Sequence, residues 1–334
     1  MTEQRQTGAG SGAMTAPSAG SGTVGVYELR RATEAAARAA YAWIGRGDKA
    51  LADDAAVAAM QTELDSLSLD GLMLVGEGPR DEIGMLYHGQ RFGSGTGTPA
   101  WDLVVDPLEG TSFLAKGMTN AMAVLAMAPH GTLFDPAPAR YMEKLAAPPA
   151  AKGRIDPEAP VAERLRQLSA ALNKPVEDMT VYVIEKPRHK ALVQAIHAAG
   201  ARVALYPAGD VAGALMAAIP GSGIDALMGT GGTPEGLLSA MAIRAMGGEF
   251  LGRIDPQLAT EAAAVEKAGM DLSRWHRLDE MVRSDDVVFC ATGITTGLLL
   301  DGVERTRELE KTQTLMIGGA AGPRQMLTSW HRRA

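Results

Sequence analysis

The stretch WDLVVDPLEGTS at residues 101–112 joins an apolar run to two carboxylates, Asp106 and Glu109, and then at once to Gly110, Thr111 and Ser112. Trp101 to Val105 predicts a short buried strand, and Pro107, lacking an N–H, is expected to stop its ladder. Gly110 lets the backbone turn closely around an anion. Carboxylate oxygens suit a hard cation such as Mg2+ or Mn2+, while the amides after Gly110 and the hydroxyls of Thr111 and Ser112 suit a phosphoryl oxygen.

Working outward, the chain alternates between the two kinds of element. Helical patterns cover residues 27–45 and 51–67, and an apolar strand at 72–75 delivers Gly76-Glu77-Gly78, so two strand ends present carboxylates. Further strands are expected at 120–127 and 140–145. A proline-rich segment at 147–160 is the preferred boundary between a domain at 26–150 and another at 151–334. Beyond it, strands at 180–184, 202–206 and 224–228 alternate with helices at 188–199, 211–218 and 235–245, the pattern of an α/β layer. A helix at 259–268 and strands at 287–290 and 314–317 complete the reading. Residues 1–25, rich in Gly, Ser, Thr and Ala, read as a disordered leader without a signal-peptide core.

Composition narrows the function. The 334 residues are 46% hydrophobic, ample for a large core, and the formal charge of -7 argues against nucleic acid or an anionic membrane as partner. Aromatic content of 4% gives no stacking platform, and no apolar run is long enough to span a membrane. One cysteine, Cys290, excludes an intrachain disulfide and a cysteine-rich zinc site, in keeping with a cytoplasmic location.

Several residue groups carry candidate chemistry. Asp53 and Asp54 sit on one helix but point about 100° apart, so one suits a metal and the other solvent. Glu77 lies between glycines after a strand, where a carboxylate projects into a cleft or forms a plain polar turn. Asp106 and Glu109 are close enough to share one or two cations, and Thr111 is placed to orient an attacking water. The segment 229–236, GTGGTPEG, precedes a helix whose free amides suit phosphate, with Glu235 either capping that helix or reaching a metal. Lys186 and Arg188 bring positive charge to an acidic chain and suit a second phosphate. His189 has no partner histidine at metal-ligand spacing.

Taken together, these residues resemble the class II fructose-1,6-bisphosphatases, a branch of the sugar and inositol phosphatase superfamily. The resemblance rests on GRGDK at 45–49, DDAAV at 53–57, VGEGPRDE at 75–82, MLYHG at 85–89, VDPLEGT at 105–111, YMEKL at 141–145, KPRH at 186–189, GDVA at 209–212, GGTPEG at 231–236 and ATGIT at 291–295. It implies a layered αβαβα sandwich, Mg2+ or Mn2+ as cofactor, a sugar bisphosphate as substrate and a homo-oligomer, dimer or tetramer. By the same resemblance the metal ligands are Asp53, Glu77, Asp106, Glu109 and Glu235, with Thr111, Glu77 and Asp106 catalytic. Gly110, Thr111, Tyr141, Lys186, Arg188, Asp210 and Gly232 are the implied substrate contacts.

The implied reaction removes the 1-phosphate of fructose 1,6-bisphosphate, a step of gluconeogenesis. The chain departs from the family pattern at Asp54, Pro79, Ala208 and Leu298, where the family usually has glycine, an acidic residue, aspartate and aspartate. The same chemistry on sedoheptulose 1,7-bisphosphate, inositol monophosphate or a specialised sugar phosphate stays open, as does a catalytically silent sugar-phosphate sensor.

Overall fold

The computed structural model describes residues 25–78, 84–93, 97–319 and 324–333. The leader, up to residue 24, and residues 79–82 of the VGEGPRDE motif, Pro79 among them, lie outside these. In chain order the helices are α1 (Val26–Tyr41), α2 (Lys49–Ser66), α3 (Thr111–Ala115), α4 (Val161–Leu172), α5 (Lys190–Ala198), α6 (Asp210–Ala218), α7 (Thr233–Met246), α8 (Ala259–Lys267) and α9 (Leu278–Met281). The strands are β1 (Gly71–Val75), β2 (Arg91–Phe92), β3 (Trp101–Glu109), β4 (Met122–Pro129), β5 (Tyr141–Ala147), β6 (Thr180–Ile184), β7 (Arg202–Tyr206), β8 (Ala226–Gly232), β9 (Glu249–Ile254), β10 (Trp275–Arg277), β11 (Val288–Gly293), β12 (Glu304–Arg305), β13 (Leu309–Gly318) and β14 (Arg324–Arg332).

These strands form two mixed sheets. One runs β12-β13-β11-β4-β3-β1-β2, with β14 on β13, and the other runs β10-β9-β5-β8-β6-β7. Side-chain alternation builds the layers: Leu103, Val105, Leu125 and Cys290 of the first sheet pack under Leu29 and Ala36 of α1 and Ala56 and Met60 of α2. The opposite face, with Val104, Val124 and Phe289, meets α6 and α7 through Leu215, Leu238 and Met241. Those helices in turn cover Met142, Leu227 and Phe250 of the second sheet. Its outer face, Leu145, Val181 and Met228, packs on Leu165 of α4 and Ile196 of α5. The order helix, sheet, helix, sheet, helix is the expected αβαβα sandwich.

Two local readings are corrected. Pro107 does not end β3, which continues to Glu109, because the ladder slips by one residue there: Asp106 faces Val124 while Glu109 faces Met122. At a bulge the missing proline N–H costs no ladder bond. The strand expected at 224–228 also runs further than its apolar residues, since β8 carries through Gly232 against β5, and glycines leave backbone hydrogen bonding intact. Strands β9, β10 and β14 lie where no strand was expected; in β14 the alternating residues are largely exposed, which leaves no apolar period to read. The boundary at 147–160 does not separate the sheets, for β5 belongs to the second sheet and β11 to β14 return to the first.

Candidate active site

The bulge in β3 places the first two carboxylates. Positions 106 and 109 differ by an odd number, so in a regular strand their side chains would leave opposite faces. The extra residue reverses that parity, and both Asp106 and Glu109 line one cavity of about 460 Å³. Asp106 steadies the bulge itself, its Oδ1 accepting the Leu108 N–H at 3.2 Å. Gly110 follows with φ 86°, a left-handed turn that suits glycine, and starts α3 so that Thr111 and Ser112 stand at the cavity wall.

Other elements end at the same place. Glu77 comes from the end of β1, and Asp53 from α2, whose start is capped by Asp48 accepting the Leu51 N–H at 3.0 Å. Asp53 is half-buried and lines the cavity, while Asp54 is exposed. The middle-layer helices α6 and α7 present Asp210 and Glu235 from their first turns, so their positive dipole ends face the cavity. Glu109, 5% exposed, accepts the Val211 N–H of α6 at 3.1 Å through Oε1. Gly231 and Gly232 leave the space that the Asp210 and Glu235 carboxylates occupy, since a Cβ at either would collide with them. Tyr141, Lys186, Arg188, Gly110 and Gly232 complete the lining, so every residue expected at the site faces this one cavity.

The electrostatics are strained in one direction. Burial first, then Asp53 and Glu235, pushes Glu77 up to about 8. Glu109 is also pushed up to about 8 by burial, then Glu235 and Asp210, with the Val211 N–H and Lys144 opposing. Asp106 is held well above the aspartate range by burial and then by Glu109, Glu235, Glu77 and Asp53. Asp53 rises through burial and Asp54. Glu235 rises through burial, with Lys144 pulling it back and Asp210 adding to it. Glu235 Oε2 is buried and has no hydrogen-bond partner among the described residues.

Such a set of hard oxygen donors, raised by burial and then by mutual repulsion and including an orphaned atom, fits divalent cations. Among the described residues no three His, Cys, Asp or Glu side chains already close on a single point. The carboxylates instead surround the cavity.

Lys144 was not among the expected site residues, whereas Ser112, read as a phosphoryl contact, does line the cavity. Lys144 is 1% exposed and bonds Asp210 Oδ2 at 2.5 Å. Its signal was a lysine two positions after the buried Met142, on the inward side of β5. Ser112 Oγ accepts from Lys49 Nζ at 2.9 Å. Ala208 lines the cavity and its carbonyl accepts the Tyr182 hydroxyl at 2.9 Å, whereas Leu298 is exposed and outside the lining.

Carboxylates that call for cations share this cavity with ammonium and guanidinium groups that call for anions, and a phosphate ester satisfies both. The class so defined is the metal-dependent phosphatases. The sequence profile described as bacterial fructose-1,6-bisphosphatase, glpX-encoded, matches residues 24–331, and the chain belongs to that family. It is 43% identical over 317 residues to fructose-1,6-bisphosphatase 1 class 2 of Escherichia coli strain K12, covering 91% of this chain and 94% of that one. The class 2 enzyme of Shigella flexneri matches with the same identity and the same coverage. A solved structure, the extragenic suppressor from Pyrococcus furiosus, superposes with a TM-score of 0.27 at 13% identity over 54% of this chain and 63% of that one, too slight a likeness to bear on fold or function.

Proposed function

We propose that this chain hydrolyses the 1-phosphate of fructose 1,6-bisphosphate to fructose 6-phosphate and phosphate, a reaction of gluconeogenesis. The observation that carries the reading is the single cavity shared by Asp53, Glu77, Asp106, Glu109 and Glu235 with Lys186 and Arg188. A substrate with two phosphates meets both kinds of group at once.

Mg2+ or Mn2+, held by those five carboxylates, would supply Lewis acidity at the scissile phosphate and acidify a water beside it. Thr111 orients that water through its hydroxyl, and the amides that follow Gly110 take phosphoryl oxygens. Water adds to phosphorus as the bond to the sugar oxygen breaks, and that oxygen gains a proton. Asp210, Tyr141 and Gly232 hold the sugar, while Lys186 and Arg188 neutralise the distal phosphate. Tyr141 also lies under Arg188, whose Cζ is 5.3 Å from the ring centroid.

A phosphate-release panel with Mg2+ or Mn2+ tests the reading. Fructose 1,6-bisphosphate is expected to turn over faster than sedoheptulose 1,7-bisphosphate and inositol monophosphate. Faster release from a monophosphate overturns the substrate, and no release with any divalent ion overturns the enzyme in favour of a sensor. We further place the chain in the cytoplasm as a homodimer or homotetramer, which light scattering on the purified protein checks. No helix of the described residues is long and apolar enough to cross a membrane.

A further inference from the structure

Strand β8 loses its neighbour on one side before it reaches the cavity. Its parallel pairing with β6 covers Val181 against Ala226 and Tyr182 against Leu227, whereas on its other edge the pairing with β5 continues to Gly232. Thr230 lies in that unpaired stretch. A strand residue points its N–H and C=O to the same edge, so Thr230 offers both to the side that β6 has left.

The KPRH turn fills the gap. His189 Nε2 accepts the Thr230 N–H at 2.8 Å, and Arg188 donates to the Thr230 carbonyl from Nε at 3.0 Å and Nη2 at 2.7 Å. The other imidazole nitrogen, Nδ1, donates to the Ile184 carbonyl at the end of β6, at 2.6 Å. Because Nε2 accepts from a backbone N–H that cannot reverse its role, Nδ1 carries the proton and the ring is neutral. The imidazole is 4% exposed, and its burial favours the uncharged form.

Gly229 completes the seat. It has φ 135°, and a Cβ there would lie 3.0 Å from both Cε1 and Nε2 of the ring, so the glycine leaves the volume that the imidazole occupies. A buried ring thus ties the end of β6 to β8, one residue after the side chain that reaches the cavity.

We propose that His189 is a positioning residue for Arg188, fixing the KPRH turn against β8 so that the guanidinium is ordered before the distal phosphate arrives; this rests on reading Arg188 as a contact of that phosphate. An arginine held in place loses little side-chain freedom on binding, while a loose one must be ordered by the substrate. His189 touches no reacting atom, so its loss affects binding of a bisphosphate and leaves the hydrolytic step alone.

The test is steady-state kinetics with Mn2+ on fructose 1,6-bisphosphate and on p-nitrophenyl phosphate, which has no distal phosphate. His189→Phe is expected to raise KM for the bisphosphate roughly three- to tenfold, with kcat retained and aryl phosphate hydrolysis unchanged. His189→Gln, which keeps an acceptor for the Thr230 N–H, recovers part of the loss. In an Arg188→Ala background His189→Phe adds nothing further. An unchanged KM, an equal loss on both substrates, or full additivity with Arg188→Ala overturns the proposal. Should Arg188→Ala itself leave KM unchanged, the reading of Arg188 as a phosphate contact fails; should it raise KM while His189→Phe does not, only the role of His189 fails. If His189→Phe does not fold, His189→Asn against His189→Gln makes the same comparison, and equal KM values for the two reject the proposal.

Discussion

Lys144 Nζ donates to Asp210 Oδ2 at 2.5 Å with the lysine side chain wholly out of water, a fixed cation beneath a cluster of carboxylates. The same ammonium opposes the upward shifts of Glu109 and Glu235. It is a counter-ion for the cavity floor as well as a partner for Asp210. Lys144→Met is therefore expected to destabilise the fold by about 3–5 kcal/mol, because it leaves a buried charge uncompensated. Urea unfolding checks this, and Asp210→Asn in the same chain should restore much of the loss. A cost under about 1 kcal/mol would show that the pair is not the fixed element described.

Burial first, and then four neighbouring carboxylates, raise Asp106, so an uncharged amide there relieves both costs while it deletes a proposed metal ligand. In chelator at pH 8, Asp106→Asn should melt at a higher temperature than the unaltered chain. With Mn2+ it should lose at least ~10²-fold in kcat, since metal polarisation of a phosphoryl oxygen contributes several kcal/mol. Lower thermal stability in chelator contradicts the repulsion argument.

The pH dependence of the metal-free chain has a defined sign. Glu77 and Glu109 lie at about 8 in the folded protein against an ordinary 4.5, so the folded chain keeps protons that the unfolded chain has released. Their contribution to stability is complete below about pH 4.5 and is lost as pH rises through about 8. Melting temperature in chelator should fall between pH 6 and 8.5. At the proposed metal site excess Mg2+ or Mn2+ should offset that fall, because a divalent cation takes deprotonated carboxylates as ligands.

Thr111 gives the cleanest separation of chemistry from metal binding. Thr111→Ala removes a hydroxyl from the first turn of α3 and no carboxylate. The rise in melting temperature on adding Mn2+ should persist, while kcat falls about 10²-fold, the scale of a lost proton-handling or water-orienting group. Thr111→Ser should keep more activity than the alanine variant. Loss of the Mn2+ response in Thr111→Ala would place the residue in metal binding instead.

The element pattern was legible wherever period and composition agreed. Strands at 180–184 and 202–206 fall at the positions expected, and α2, α6 and α7 lie within a few residues of theirs. Reading failed where a local rule was overridden. Proline normally stops a ladder, yet at Pro107 a bulge absorbs it; glycines normally mark a loop, yet 229–232 are held as strand by β5. In β14, residues Arg324, Met326, Trp330 and Arg332 are all exposed, so burial left no signature there.

The sequence by itself determined the chemistry: which carboxylates, hydroxyl and basic side chains the chain carries, and, through their ordered motifs, the family they belong to. Those are properties of residue type and spacing, which survive without coordinates. Only the tertiary structure decided how Asp106 and Glu109 come to face one cavity, because strand parity is reversed by a bulge and a bulge exists only against a partner strand. It also decided that Lys144 lies beneath the carboxylates and that His189 stands in for a departed strand. Burial and hydrogen-bond partnership are relations between segments far apart in the chain, and no local pattern records them.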